Sequence, residues 1–105
     1  MKKPAYDGNR QQRKEIDRQH TARAQPAAKT IKLADIIDNA RSITEHDPEF
    51  AATYLVEQEA LMDVLIEGDK SLYLIALNEI VRAVAALDGK SKAMYLAKRA
   101  LYYKA

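Results

Sequence analysis

The chemically suggestive residues of this chain are Asp35, Asn39 and Ser42. Their i, i+4, i+7 spacing projects all three from one side of a helix. A carboxylate, an amide and a hydroxyl in a row can hold a metal ion and a polar ligand. The same three types also make an ordinary solvated helix face, and spacing alone leaves both readings open. No glycine-rich phosphate loop, nucleophile elbow or cysteine–histidine pair accompanies them. The chain has no cysteine at all, which excludes a disulfide scaffold, a zinc finger and thiol catalysis.

The helix that must carry this polar row is predicted over residues 28–43. Ala27, Ile31, Ala34, Ile37 and Ala40 recur at the spacing of an amphipathic helix, with Leu33 and Ile36 widening the stripe. Residues 1–8 contain Pro4 and Gly8 and read as a flexible lead-in. Asn9 with Gln12 has the form of a capping box that opens a largely solvated helix over 10–24, ended by Pro26. Asp47-Pro48 starts a third helix, since Asp caps well and proline suits the first helical position. Phe50, Tyr54, Leu61 and Leu65 line one of its sides, and Gly68 is expected as its left-handed stop. Asp69 or Ser71 caps a fourth helix over 72–87. Its first turns, Leu72 to Leu77, are apolar all round, the pattern of a central, buried helix. A fifth helix follows over 91–105. The fold class is therefore all-α, a compact bundle of four to five helices, with the main helical region over 9–87 and a basic C-terminal helix within 88–105.

Composition sets the outer limits. At 105 residues, 48% hydrophobic and 30% charged, the chain reads as one small globular domain. No apolar run approaches the roughly 18 residues of a membrane span, and Met1-Lys2-Lys3-Pro4 has no apolar stretch behind it, so a cytoplasmic protein is expected. The net charge of +2 conceals an uneven distribution. Residues 1–30 carry eight Lys/Arg against three acids, residues 31–69 two against ten, and residues 70–105 seven against two. Either the acidic middle is neutralised by its own basic flanks, or the surface is divided between partners. On the second reading Asp38, Glu45, Glu57, Glu59 and Asp63 are candidate contacts to a basic protein surface. Lys90, Lys92, Lys98, Arg99 and Lys104 interleave with Tyr95, Tyr102 and Tyr103, a pattern that binds phosphates and stacks bases, or one that packs tyrosines on a core. The small net charge argues against nucleic acid as the partner.

The run Lys32-Leu33-Ala34-Asp35-Ile36-Ile37-Asp38-Asn39-Ala40-Arg41-Ser42 resembles the K-L-A-D-x-x-x-N-x-R-[ST] motif of HD-domain phosphohydrolases. The nearest branch is the (p)ppGpp pyrophosphohydrolases. The resemblance runs over roughly residues 8–75, through Arg13-Lys14, His20-Thr21-Ala22 and Ala27-Ala28-Lys29 upstream. Downstream it takes in His46-Asp47-Pro48-Glu49-Phe50, Tyr54-Leu55 and Glu67-Gly68-Asp69. It implies that Asp35 is the family's distant metal-binding aspartate, with Asn39 near the nucleotide sugar and Ser42 the hydroxyl beside it. The metal implied is manganese, which would generate hydroxide and neutralise phosphate charge. The family's histidine and His-Asp pair precede the K-L-A-D segment, and this sequence has no His-Asp pair there, its one upstream histidine being His20. Its one His-Asp dipeptide, His46-Asp47, comes after Asp35, where Asp47 is expected as a helix cap. His20 sits on a polar helix and reads as a solvated side chain.

The chain thus resembles the C-terminal half of such an enzyme, with the upstream metal-ligand half absent and the Asp35 site vestigial. One aspartate cannot fix a catalytic metal. The expectation is a hydrolase-derived helical protein that acts through binding, with no hydrolysis by the chain alone. It would bind a protein partner or a second copy, and nucleotide if anything small. The alternatives are a part of an active manganese-dependent nucleotide phosphohydrolase, with the ion held once another chain or segment completes the site, and a small inhibitor or regulator that presents its acidic middle to a protein.

Overall fold

The computed structural model describes residues 10–103; the lead-in over 1–8, the Asn9 cap and Lys104 lie outside them. Within that range are five helices: α1 (Arg10–Ala22), α2 (Pro26–His46), α3 (Pro48–Met62), α4 (Lys70–Ala86) and α5 (Gly89–Tyr102). The all-α bundle is as the hydrophobic periodicity implies. α2 packs chiefly on α4, and α3 on α5, with α3 also touching α2 and α4.

Short polar side chains set the helix starts. Asp47, Asp69 and Asp88 accept hydrogen bonds from the backbone N–H groups of Phe50, Leu72 and Ser91 at 3.2, 2.9 and 2.7 Å. Each satisfies a donor that has no partner within its own helix. Asp88 therefore opens α5 two residues earlier than its sequence reading, and Asp47 is committed to capping rather than to a metal. Pro26 is the first residue of α2, not the terminator of α1. Its missing N–H costs nothing there, and α1 has already ended at Ala22.

The core is small and centred on α2, α3 and the segment after it, with Ala76, Ile80 and Ala83 of α4 and Tyr95 of α5 completing it. Leu33 and Ile36 of α2, Ala51, Ala52 and Leu55 of α3, and Leu65 beyond α3 have no solvent exposure. The inward stripe of α2 is Leu33, Ile36, Ile37 and Ala40, whereas Ile31 is 71% exposed. The expected stripe was thus rotated by about a quarter turn, because residues taken as its margin are its centre. α3 stops at Met62, before Gly68. The intervening turns are held by backbone bonds from Leu65 to Met62 and from Gly68 to Leu65. Asp69 N–H donates to the Thr30 hydroxyl at 2.9 Å, tying this segment to α2.

α4 differs most from its reading as a central helix. Ala76, Glu79, Ile80 and Ala83 are buried, but Leu74 is 63% and Val81 59% exposed. α2 covers one side of α4 and α5 barely touches it, so the opposite side has no cover among the described residues. No helix here is long and apolar enough to cross a membrane, among the described residues.

Ion pairs join the basic flanks to the acidic middle. Arg10 grips Glu57 through two nitrogens at 2.5 and 3.0 Å. Buried Lys29 donates to Glu67 at 2.6 Å and to the Ala22 carbonyl at 3.1 Å. Arg99 reaches Glu59 at 2.6 Å, and the Tyr95 hydroxyl donates to the same carboxylate. The Arg10 pair and the Lys29 bond to the Ala22 carbonyl, with Arg10 stacked 4.7 Å over the Phe50 ring, hold α1, which buries none of its own residues.

Candidate functional site

α2 positions the polar row as helical spacing requires, on the side away from Leu33 and Ile36. Asp35 and Asn39 are brought together: the Asn39 amide donates to the Asp35 carboxylate at 3.2 Å, and Lys32 donates to its other oxygen at 3.4 Å. Ser42 does not join them. Its hydroxyl turns back onto its own helix and donates to the Asn39 carbonyl at 3.5 Å, a local bond available to any mid-helix serine.

Tyr54 of α3, read from sequence as a core aromatic, is half-buried beside this edge. Burial pushes its phenol up to about 12, the Asn39 side chain partly offsets the rise, and the negative Asp35 and Glu57 add to it. The folded state therefore favours neutral tyrosine over the unfolded chain, whose phenol titrates near 10. Stability from this source is complete below pH 10 and is lost as the pH rises from 10 through 12. Urea midpoints at pH 9 and pH 11 test this: the wild-type midpoint should fall more between the two than that of Tyr54→Phe. Equal falls would place Tyr54 in an ordinary solvated setting.

The described residues around Asp35 do not fit a resident manganese ion. Asp35 is a single carboxylate already engaged by an amide and an ammonium group. Among the described residues no three His, Cys, Asp or Glu side chains gather into a possible metal group, His20 and His46 included. A divalent ion needs several fixed ligands to define its site.

No family model, curated protein or solved structure matches the chain.

The five acidic candidates separate into two sets. Glu57 is buried and bound to Arg10, and Glu59 is bound to Arg99 and Tyr95. Both are engaged inside the fold. Asp38, Glu45 and Asp63 are exposed. In the C-terminal helix Tyr95 is buried in the core, Tyr102 packs against it, and Tyr103 lies under Arg99.

Sequence reasoning passed over a cleft of about 380 Å³ beneath α1, into which Lys14, His20, Lys32 and Gln58 all face. One signal was present. Gln58 stands four residues after Tyr54 and three before Leu61, a polar side chain in the middle of an apolar stripe.

Proposed function

We propose that this chain is a helical binding protein, derived from an HD-domain phosphohydrolase, that does not hydrolyse a nucleotide on its own. The observation that carries the binding reading is the outer side of α4. Leu74, Leu77 and Val81 recur at i, i+3 and i+7 and are all exposed. Apolar surface grouped this way on a small protein marks an interaction site. The one acid of this helix, Glu79, is buried and engaged by Arg41, so the outer side carries only Lys70 and Arg82 as charges.

A second copy suits this face. Antiparallel pairing about a two-fold axis near Leu77 and Asn78 sets Leu74 against Val81 of the other copy and Lys70 against Ala85, with no like charges opposed. Light scattering should give a mass that rises above 11.8 kDa with concentration, and Val81→Glu should return it to the monomer value. A monomer at every concentration would remove the second copy as the partner. Val81 is exposed, so its substitution leaves the core intact.

The resemblance to HD hydrolases and the paired Asp35 and Asn39 support the ancestry. The lack of further ligands beside Asp35 among the described residues supports the absence of independent catalysis. The exposed Asp38, Glu45 and Asp63 support a regulator's acidic contact less strongly, because Glu57 and Glu59 are engaged internally. Binding of manganese by the chain alone would raise its melting temperature; none is expected at millimolar ion.

A further inference from the structure

The cleft beneath α1 has the attributes of a built ligand site. Four helices line it: Lys14, Asp17 and Thr21 from α1, Lys32 from α2, Gln58 and Leu61 from α3, and Tyr102 from α5. At about 380 Å³ it lies in the range of small-molecule pockets. α1 spans it without burying a side chain, so the helix stands off the bundle over polar space instead of interlocking with α3.

Gln58 gives the independent sign. It is only 6% exposed, and among the described residues its amide has no hydrogen-bond partner. No fully buried polar atom is left unpaired, so the amide retains access to the cleft it lines. A buried amide offering both donor and acceptor to a cavity is poised for a ligand with hydroxyl groups. Thr21 and the Asp17 carboxylate add further hydroxyl partners on the opposite wall.

The charges specify the other end of the ligand. Lys14 has no ion-pair partner among the described residues. Lys32 has only the long contact to Asp35 at 3.4 Å. Glu57 is neutralised by Arg10, and Arg18 by a two-pronged pair with Glu15 at 2.9 and 2.8 Å, which leaves Asp17 as the carboxylate of the lining without an ion pair among the described residues. Two ammonium groups from different helices thus face the cleft, and a phosphate, with about −1.5 to −2 charge at pH 7, satisfies both.

We propose that this cleft binds a sugar phosphate, its phosphate between Lys14 and Lys32 and its hydroxyls on Gln58, Asp17 and Thr21. Leu61 and Tyr102 supply the apolar wall for the carbon face of the sugar. No residue of α4 lines the cleft, so the site stands or falls apart from the self-association of that helix.

Calorimetric titration with ribose 5-phosphate, glucose 6-phosphate and inorganic phosphate tests the assignment. The sugar phosphates should bind saturably and more tightly than phosphate. Lys14→Ala and Lys32→Ala should each weaken them about tenfold, the scale of one charge-assisted contact. Both lysines have partly exposed side chains outside the core, so these variants keep the fold. Gln58→Met, of similar length, should lower sugar-phosphate affinity while leaving inorganic phosphate unchanged. Absence of saturable binding up to roughly 10 mM, the limit of a weak specific site, overturns the proposal. So does binding that neither lysine substitution alters, or a preference for 5′-mononucleotides over sugar phosphates.

Discussion

Leu33→Ala is expected to lower the unfolding free energy by about 3–5 kcal/mol, while Ile31→Ala, two residues away on the same helix, changes it by no more than about 0.5 kcal/mol. Leu33 is fully enclosed and lies in the core with Ile36 and Leu65. Truncation removes its transfer free energy and leaves a cavity that rigid helices on several sides cannot close. Small domains have only about 5–15 kcal/mol in total, so the variant should melt far below wild type. Ile31 makes the opposite case, with most of its surface already in water. Chemical denaturation of the two variants decides which face of α2 points inward. Equal losses would mean that α2 is rotated toward the stripe centred on Ile31 and Ala34.

Gly68→Ala should also destabilise, by about 1–3 kcal/mol, because of crowding. Gly68 lies outside the left-handed region, contrary to its expected role as a helix stop. On backbone grounds alone, alanine would stabilise by about 0.4–1 kcal/mol through the unfolded chain. Space reverses the sign. A Cβ there would sit 2.8 Å from Leu33 Cδ1, 3.2 Å from the Thr30 backbone nitrogen and 3.3 Å from the Leu65 carbonyl oxygen. The leucine methyl can shift only within a filled core, and the two backbone atoms are fixed by α2 and by the turn. The first contact disappears in a Leu33→Ala background, so the double variant should lose less than the sum of the singles, by about 0.5–3 kcal/mol. Strict additivity would show that Gly68 and Leu33 do not meet.

The fold was legible in the sequence because its signals are local. Asp47-Pro48 and Asp69 mark two of the helix starts through chemistry confined to one turn, whereas Asp88-Gly89 reads as the close of α4 although Asp88 caps α5. Helical spacing alone grouped Asp35 with Asn39, and the two side chains do bond. The uncovered side of α4 was not legible. Leu74, Leu77 and Val81 look like core residues in any local window, and only the placement of α2 and α5 shows that none of the described residues covers them. The α2 stripe was misplaced for a related reason: Ile31 and Ile37 are equally apolar, and tertiary packing selects between them. The cleft beneath α1 depends on side chains from four helices, which no spacing rule brings together. Its one local trace is Gln58 amid apolar neighbours.

The flanking charges follow the same logic. Opposite blocks in the sequence made internal neutralisation one of two readings, and the pairs of Arg10 with Glu57, Lys29 with Glu67 and Arg99 with Glu59 show how a basic end is tied to an acidic middle. Those pairs also reduce the acidic surface left for a partner, which moves the weight of the binding proposal from the acids to the apolar side of α4.

Pyrophosphate release from ppGpp, followed with manganese and a large excess of protein over assay background, is the most direct test of a binder that lacks its own catalysis. Release at the level of the blank, identical for wild type and Asp35→Ala, is the expected result. Manganese-dependent turnover that Asp35→Ala abolishes would mean the chain assembles a working metal site unaided, and would contradict the account at its centre.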